Sequence, residues 1–203
     1  MLGTRKRRGI VAVAAVAAIG VVVALPGGAP ARGCGGSGGI PNGDCNTDKY
    51  VNPFHHNDWY EGRIDMGVDY FPIHRHKVVA IGKARILGSD SNSGWPGGHY
   101  IWYRLLGGDH KGAIIFVAET MKRLAHKGKV VQPGDRIATA LPRGTGIEIG
   151  WADNDGQPHA APCYSEGVKT ASGKRMARFL KSLGAQVGDR PGPGSDDYDG
   201  ARC

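Results

Sequence analysis

After about residue 59, apolar and polar residues alternate in short runs cut by Gly and Pro. Val78-Val-Ala-Ile81 is one apolar run, and Lys83-Ala-Arg-Ile-Leu87 continues it past Gly82. His99-Tyr-Ile-Trp-Tyr-Arg-Leu-Leu106 is rich in aromatic and branched residues, which suit a pleated surface. Ala113 to Thr120 is almost continuously apolar, as in a strand buried on both faces. Val130-Val-Gln-Pro-Gly-Asp-Arg-Ile137 reads as a turn followed by a strand, and Gly144 to Trp151 closes the β region. Strands this short and evenly spaced predict a two-layer antiparallel β-sandwich or open barrel. After Cys163 the period changes. Met176, Phe179, Leu180 and Leu183 recur at helical spacing, with Thr170 or Ser172 to cap the helix and Gly184 to end it.

One stretch stands out, Arg63-Ile-Asp-Met-Gly-Val-Asp-Tyr70. A central Gly makes it a poor helix, so it reads as a strand leading out of a turn. Strand alternation then places Asp65, Gly67 and Asp69 on one face and Ile64, Met66, Val68 and Tyr70 on the other. An apolar face opposite two carboxylates around a bare Gly suits the floor of a shallow site. A half-exposed strand with a solvated acidic face has the same pattern.

The N-terminus changes the setting. Arg5, Lys6, Arg7 and Arg8 precede an uncharged Ala/Val-rich run, and Ala29-Pro-Ala31 offers a small-x-small cleavage site. The segment reads as an export signal or, if uncleaved, as a membrane anchor at the short end of the spanning range. Either reading places the rest of the chain outside the cytoplasm. The net charge is +8, and half of that surplus sits in those four N-terminal residues. The remainder is too mild to point to a nucleic-acid partner. Four cysteines, Cys34, Cys45, Cys163 and Cys203, are expected in disulfides in an exported chain. Three pairings are open, of which the local one, Cys34–Cys45 with Cys163–Cys203, is favoured. The expected organisation is a signal peptide or anchor over 1–31 and a Gly/Pro-rich linker over 32–58. A β domain over 59–163, a helical segment over 164–188 and a flexible tail over 189–203 follow.

Four segments in order resemble the lysostaphin-type zinc endopeptidases, a family that cuts peptidoglycan cross-bridges. Asp65-Met-Gly-Val-Asp69 resembles the family's His-x-Gly-x-Asp motif, and Val78 to Ile86 its following strand. Phe116-Val-Ala-Glu119 resembles its Tyr-x-His strand. Gly128 to Ile137 resembles its Gly-rich turn and strand, and Gly146-Ile-Glu-Ile-Gly150 takes the place of its His-x-His strand. The resemblance covers roughly 61–152 and implies a two-layer β fold with a shallow groove. It also implies metal positions at Asp65, Asp69 and Glu148, and an acid/base position at Glu119. Only Asp69 keeps the family's residue type, and no histidine stands at the matching positions, Gly146 included.

That departure decides the chemistry expected. Catalytic zinc is held by three protein ligands, most often with imidazole nitrogen among them. A set made only of carboxylates suits a hard cation better than zinc. The chain is therefore read as a degenerate member, an extracytoplasmic protein that binds peptidoglycan or a cell-wall protein without zinc hydrolysis. No cofactor is expected beyond a divalent cation. A metal-dependent cell-wall endopeptidase using the carboxylates and a structural scaffold in an envelope assembly are the alternatives. Trp95, His99 and Tyr100 are candidates to line the groove, since aromatic residues give rigid contact area for sugars and peptides. Trp102 and Trp151 fit a groove and a core equally.

Overall fold

Among the described residues the runs form ten β-strands, all paired antiparallel, with one α-helix after them. The computed structural model describes residues 50–165 and 168–188. The chain divides into two units, Met1–Pro41 and Asn42–Cys203, and all described residues lie in the second. The N-terminal segment over 1–31, the tail over 189–203 and the disulfides expected of Cys34, Cys45, Cys163 and Cys203 lie outside the described residues.

The strands are β1 (Trp59–Ile64), β2 (Val68–Pro72), β3 (His76–Val79), β4 (Ala84–Asp90), β5 (His99–Leu105), β6 (Ile114–Glu119), β7 (Met121–Lys122), β8 (Val130–Val131), β9 (Arg136–Ala140) and β10 (Ile147–Ala152). Seven form one sheet in the order β1-β2-β10-β6-β5-β4-β8, and three form a second in the order β3-β9-β7. Helix α1 (Ala171–Ser182) packs against β10, β1 and β2. The mainly antiparallel, two-layer architecture with a single C-terminal helix is the one predicted.

The main core lies on one face of the large sheet. Val68, Tyr70, Ile101, Tyr103, Ile115, Val117, Ile147 and Ile149 meet Val78, Ile137 and Ala138 of the small sheet and Met176, Phe179 and Leu180 of α1. The other face carries a smaller cluster of Tyr100, Ile114, Phe116, Ala118 and Ala152. β6 therefore supplies side chains to both faces, and every residue in it is buried, as its unbroken apolarity predicts.

Four features differ from the sequence reading. The stretch 63–70 is not one strand. It is a hairpin in which Ile64 pairs with Val68, and Asp65, Met66 and Gly67 make the connection. The Asp65 N–H donates to Gly67 O at 3.1 Å, and the Asp65 side chain accepts from Met66 N–H at 2.6 Å, so local hydrogen bonds favour the turn. The run 78–87 breaks at its glycine into β3 and β4, which belong to different sheets. The segment 32–58, read as a linker, joins the fold at its end: Phe54 is buried and stacks on Tyr70 with ring centroids 3.7 Å apart. The run expected to start as strand at Gly144 pairs only from Ile147, because Gly144 and Gly146 have φ of +116° and +88°.

The helical segment over 164–188 is also tied closely to the hairpin. Thr170 Oγ1 accepts the Gly173 N–H at 3.0 Å, capping α1, and donates to Asp65 O at 2.7 Å. The helix start abuts the turn so closely that a Cβ on Gly173 would lie 2.2 Å from Asp65 O. The positive end of the helix dipole is thereby set beside the acidic turn.

Candidate functional site

The acidic residues of the hairpin and of β10 meet on the face of the large sheet away from the main core. Glu148 pairs with Asp69 across β10 and β2, so their side chains share a face. Asp65 reaches the same point from the turn. One carboxylate oxygen from each of Asp65, Asp69 and Glu148 lies within 4.8 Å of the others, and all three residues are buried. Gly67 makes the approach possible. A Cβ there would fall 2.3 Å from Ile149 O and 2.9 Å from Glu148 Oε1.

Two irregularities bring further charge to this point. In β1, Glu61 pairs with Tyr70 and Ile64 with Val68, so Gly62 and Arg63 together face Asp69. This bulge turns Arg63 onto the acids. Its Nε lies 2.9 Å from Asp65 Oδ2 and 3.1 Å from Asp69 Oδ2. At the end of β6, Glu119 pairs with Ile147, a core residue, and strict alternation would send it to the core with Val117. Its φ of +85° is rare for a residue with a side chain, and Glu119 lines the groove with Asp69 and Glu148.

Burial and crowding shift these groups. The Asp69 carboxyl is pushed up to about 8, first by burial and then by Asp65 and Glu119, with Arg63 pulling the other way. The Glu148 carboxyl is raised well above the usual range by burial and by Asp65, Asp69 and Glu119, against a hydrogen bond from the Gly67 backbone. Glu148 Oε1 has no hydrogen-bond partner among the described residues. Asp65 accepts from Tyr164 Oη at 3.3 Å as well as from Met66 and Arg63.

The acids form the floor of a groove of about 940 Å³. Asp69, Glu119 and Glu148 line it, whereas Asp65 is 1% exposed and sits behind them. Arg63, Met66, Phe71 and Tyr164 contribute to its lining. So do Trp95, Tyr100 and Trp102, with the loop around Gly156. Trp95 stacks on Tyr100 and Tyr100 on Phe116, at centroid distances of 5.7 and 5.6 Å. The Tyr100 hydroxyl donates to Gly156 O, which binds the loop to the sheet.

The other expected groove residues separate. Tyr100 lines the groove but is 7% exposed, so it backs Trp95 more than it offers a surface. His99 is not among the lining residues, and its Nδ1 lies 2.7 Å from Gly97 O. Trp102 belongs to the groove, and Trp151 lies on the core side against Phe179. Sequence reasoning missed Arg63 and Tyr164. Arg63 carried a signal, since it stands two residues before Asp65, but only the bulge turns it inward. Tyr164 lies 99 residues from its partner Asp65 and has no local signal.

A histidine at Gly146, as in the resembled motif, meets geometric resistance. At Gly146 a side chain would be strained by the positive φ, and a Cβ would lie 2.7 Å from Tyr70 O. The residues present do not fit a zinc centre. Every converging donor is a carboxylate oxygen, and a guanidinium already engages two of the three acids.

No family model matches the chain, and no curated protein matches it. Among solved structures the chain is similar to lysostaphin in solution, at 17% identity over 73% of this chain and 62% of that one, with a TM-score of 0.49. It is also similar to the antimicrobial peptidase lysostaphin from Staphylococcus simulans, at 19% identity over 68% of this chain and 55% of that one, with a TM-score of 0.43. The match therefore spans less than two thirds of either structure.

Proposed function

We propose that the chain is an exported cell-envelope protein whose groove binds peptidoglycan or a cell-wall partner without zinc-dependent hydrolysis. The observation that carries this reading is the acid floor itself. Where the resembled family's motifs hold zinc, this chain sets Asp65, Asp69 and Glu148 with Arg63 across two of them. The groove above that floor has a volume of about 940 Å³, within the range of ligand sites, and Trp95 and Trp102 line it. Indole rings in such a wall offer contact to sugar rings and apolar peptide groups, and the carboxylates attract the free amino groups of peptide stems. The charged, apolar and small-residue pattern of residues 5–31 supports export.

A second reading is a metal-dependent cell-wall endopeptidase, favoured by one specific observation. Glu119 lines the groove beside Asp69 and Glu148 through a strained backbone, as a general acid or base would need to.

The test is sedimentation of the full chain with purified peptidoglycan, with the supernatant assayed for released peptide fragments. Co-sedimentation that weakens in Trp95→Ala, without fragments, is the expected result. Fragments that disappear in Glu119→Gln overturn it in favour of the endopeptidase. Failure to sediment overturns it in favour of a scaffold.

A further inference from the structure

We propose that Asp65, Asp69 and Glu148 bind one hard divalent cation of the calcium class, in competition with the guanidinium of Arg63. The inference deepens the reading of the groove as a ligand site and rests on it only for its consequence, set out below.

The donor set comes first. The three acids present one oxygen each within 4.8 Å of one another, and the residues are between 1% and 7% exposed. Oxygens at such separations span the coordination sphere of an ion that takes oxygen ligands at about 2.3–2.6 Å. A second and independent observation points to a ligand. Glu148 Oε1 is buried without a hydrogen-bond partner among the described residues, while the neighbouring side chains are acceptors. Ionised, the acids are acceptors and cannot satisfy one another, so this oxygen needs either a proton held between the carboxyls or a cation. Arg63 answers for Asp65 and Asp69 through its Nε contacts. One guanidinium does not balance three carboxylates.

The class of ion follows from the ligands. Carboxylate oxygen selects hard ions over zinc, and calcium tolerates irregular geometry with water completing its shell. Asp69 and Glu148 line the open groove, so water can reach their side of the site. Magnesium demands a near-regular octahedron and gives up its waters reluctantly, so it is the weaker fit.

Arg63 is the exchange partner. Its side chain is 28% exposed and lines the groove, and the β1 bulge places it opposite Asp69. An ion at the acids competes with their hold on the guanidinium through Nε. Released, it adds a positive charge to the groove wall as the floor loses negative charge. Ion binding would thus change what the groove attracts, which is how the site connects to polymer binding.

The experiment is calorimetric titration of the chelator-stripped full chain with CaCl₂, MgCl₂ and ZnCl₂ in separate runs, with melting curves alongside. The expected result is one saturable calcium site per chain and magnesium binding weaker by about tenfold or more. Zinc binds no tighter than calcium. Glu148→Gln and Asp69→Asn lose calcium binding but keep a cooperative melt in chelator, because each removes a mutually repelling buried charge. Arg63→Gln binds calcium about tenfold tighter, the equivalent of one competing interaction of about 1.4 kcal/mol. Absence of saturable calcium binding, a zinc affinity above that of calcium, or calcium binding unchanged in both carboxylate variants would overturn the proposal. Sedimentation with peptidoglycan, run in calcium and in chelator, separates the two ideas. Calcium bound without sedimentation leaves the ion site standing and removes the groove reading. Sedimentation by a chain that binds no calcium does the reverse.

Discussion

On one side of β10, Ile147 and Ile149 are sealed into the main core. On the other side, between them in sequence, Glu148 is sealed almost as fully, with an oxygen that has no hydrogen-bond partner among the described residues. The core side is redundant: its apolar residues cluster with others from the neighbouring strands, the small sheet and α1, and burial of each adds stability in the same direction. The groove side is built against its own local preferences. It holds three converging acids, a left-handed Glu119, a bulge at Arg63 and glycines at the points of closest approach. Such features destabilise a fold and persist only where the surrounding structure enforces them. The contrast separates the face that folds the protein from the face proposed to bind.

The sharpest way to break the contrast is to change neighbouring residues of β10. Ile149→Ala should cost about 2–5 kcal/mol, the usual range for emptying a packed aliphatic site. Glu148→Gln, one residue away, should cost nothing in chelator at pH 8 and instead stabilise the fold. Urea unfolding of both variants checks this, and a large loss for Glu148→Gln would show that the carboxylate belongs to the folding face.

Next in size is Gly146→His, which places a histidine where the resembled family has one. Its φ of +88° and the nearby Tyr70 carbonyl predict a loss of about 2 kcal/mol, with no gain in zinc affinity. Thermal melting with and without ZnCl₂ decides it.

The pH dependence of stability in chelator comes third. The folded Asp69 carboxyl titrates at about 8 against an ordinary 3.8, so between these values the folded state binds more protons than the unfolded state. Stability from this site is therefore fully present below about pH 4 and is lost as pH rises towards 8. Glu148 shifts in the same direction, while Arg63 opposes the trend from its place against Asp65 and Asp69. We expect a decline of at least about 1 kcal/mol across that window, because a tenfold difference in proton affinity between the folded and unfolded chain is worth about 1.4 kcal/mol. Denaturation midpoints measured at pH 4.5, 6 and 8 would show it, and a flat profile would mean that the acids are compensated.

The smallest stability effect belongs to the groove wall. Trp95 is half-buried on a loop, and Trp95→Ala should change stability by no more than about 1 kcal/mol while weakening sedimentation with peptidoglycan. A large loss of stability with unchanged sedimentation would place Trp95 with the folding residues.

Much of the core face could be read in advance. The aromatic and branched residues of His99–Leu106, the continuous apolarity of Ala113–Thr120 and the helical period of Met176, Phe179 and Leu180 each predicted an element that the fold contains. Local periodicity specifies such elements because burial rewards one face of each. The groove face was legible only in its residue types. The spacing of Asp65, Gly67 and Asp69 marked the acidic stretch, yet a strand reading of it was wrong, because side-chain hydrogen bonds and the pairing of Ile64 with Val68 make it a hairpin.

The sequence by itself determined which residues are apolar, that the chain folds as short strands followed by a helix, and that no histidine stands at the metal positions of the family it resembles. Only the tertiary structure decided that Asp65, Asp69 and Glu148 meet, that Arg63 turns onto two of them, and that His99 is left out of the groove. The reason is physical. Burial of a periodic face is a local instruction that each segment carries alone. The convergence of carboxylates from the hairpin turn, β2 and β10 depends on strand register, a one-residue bulge and glycines that admit a neighbouring backbone, none of which any one segment can specify.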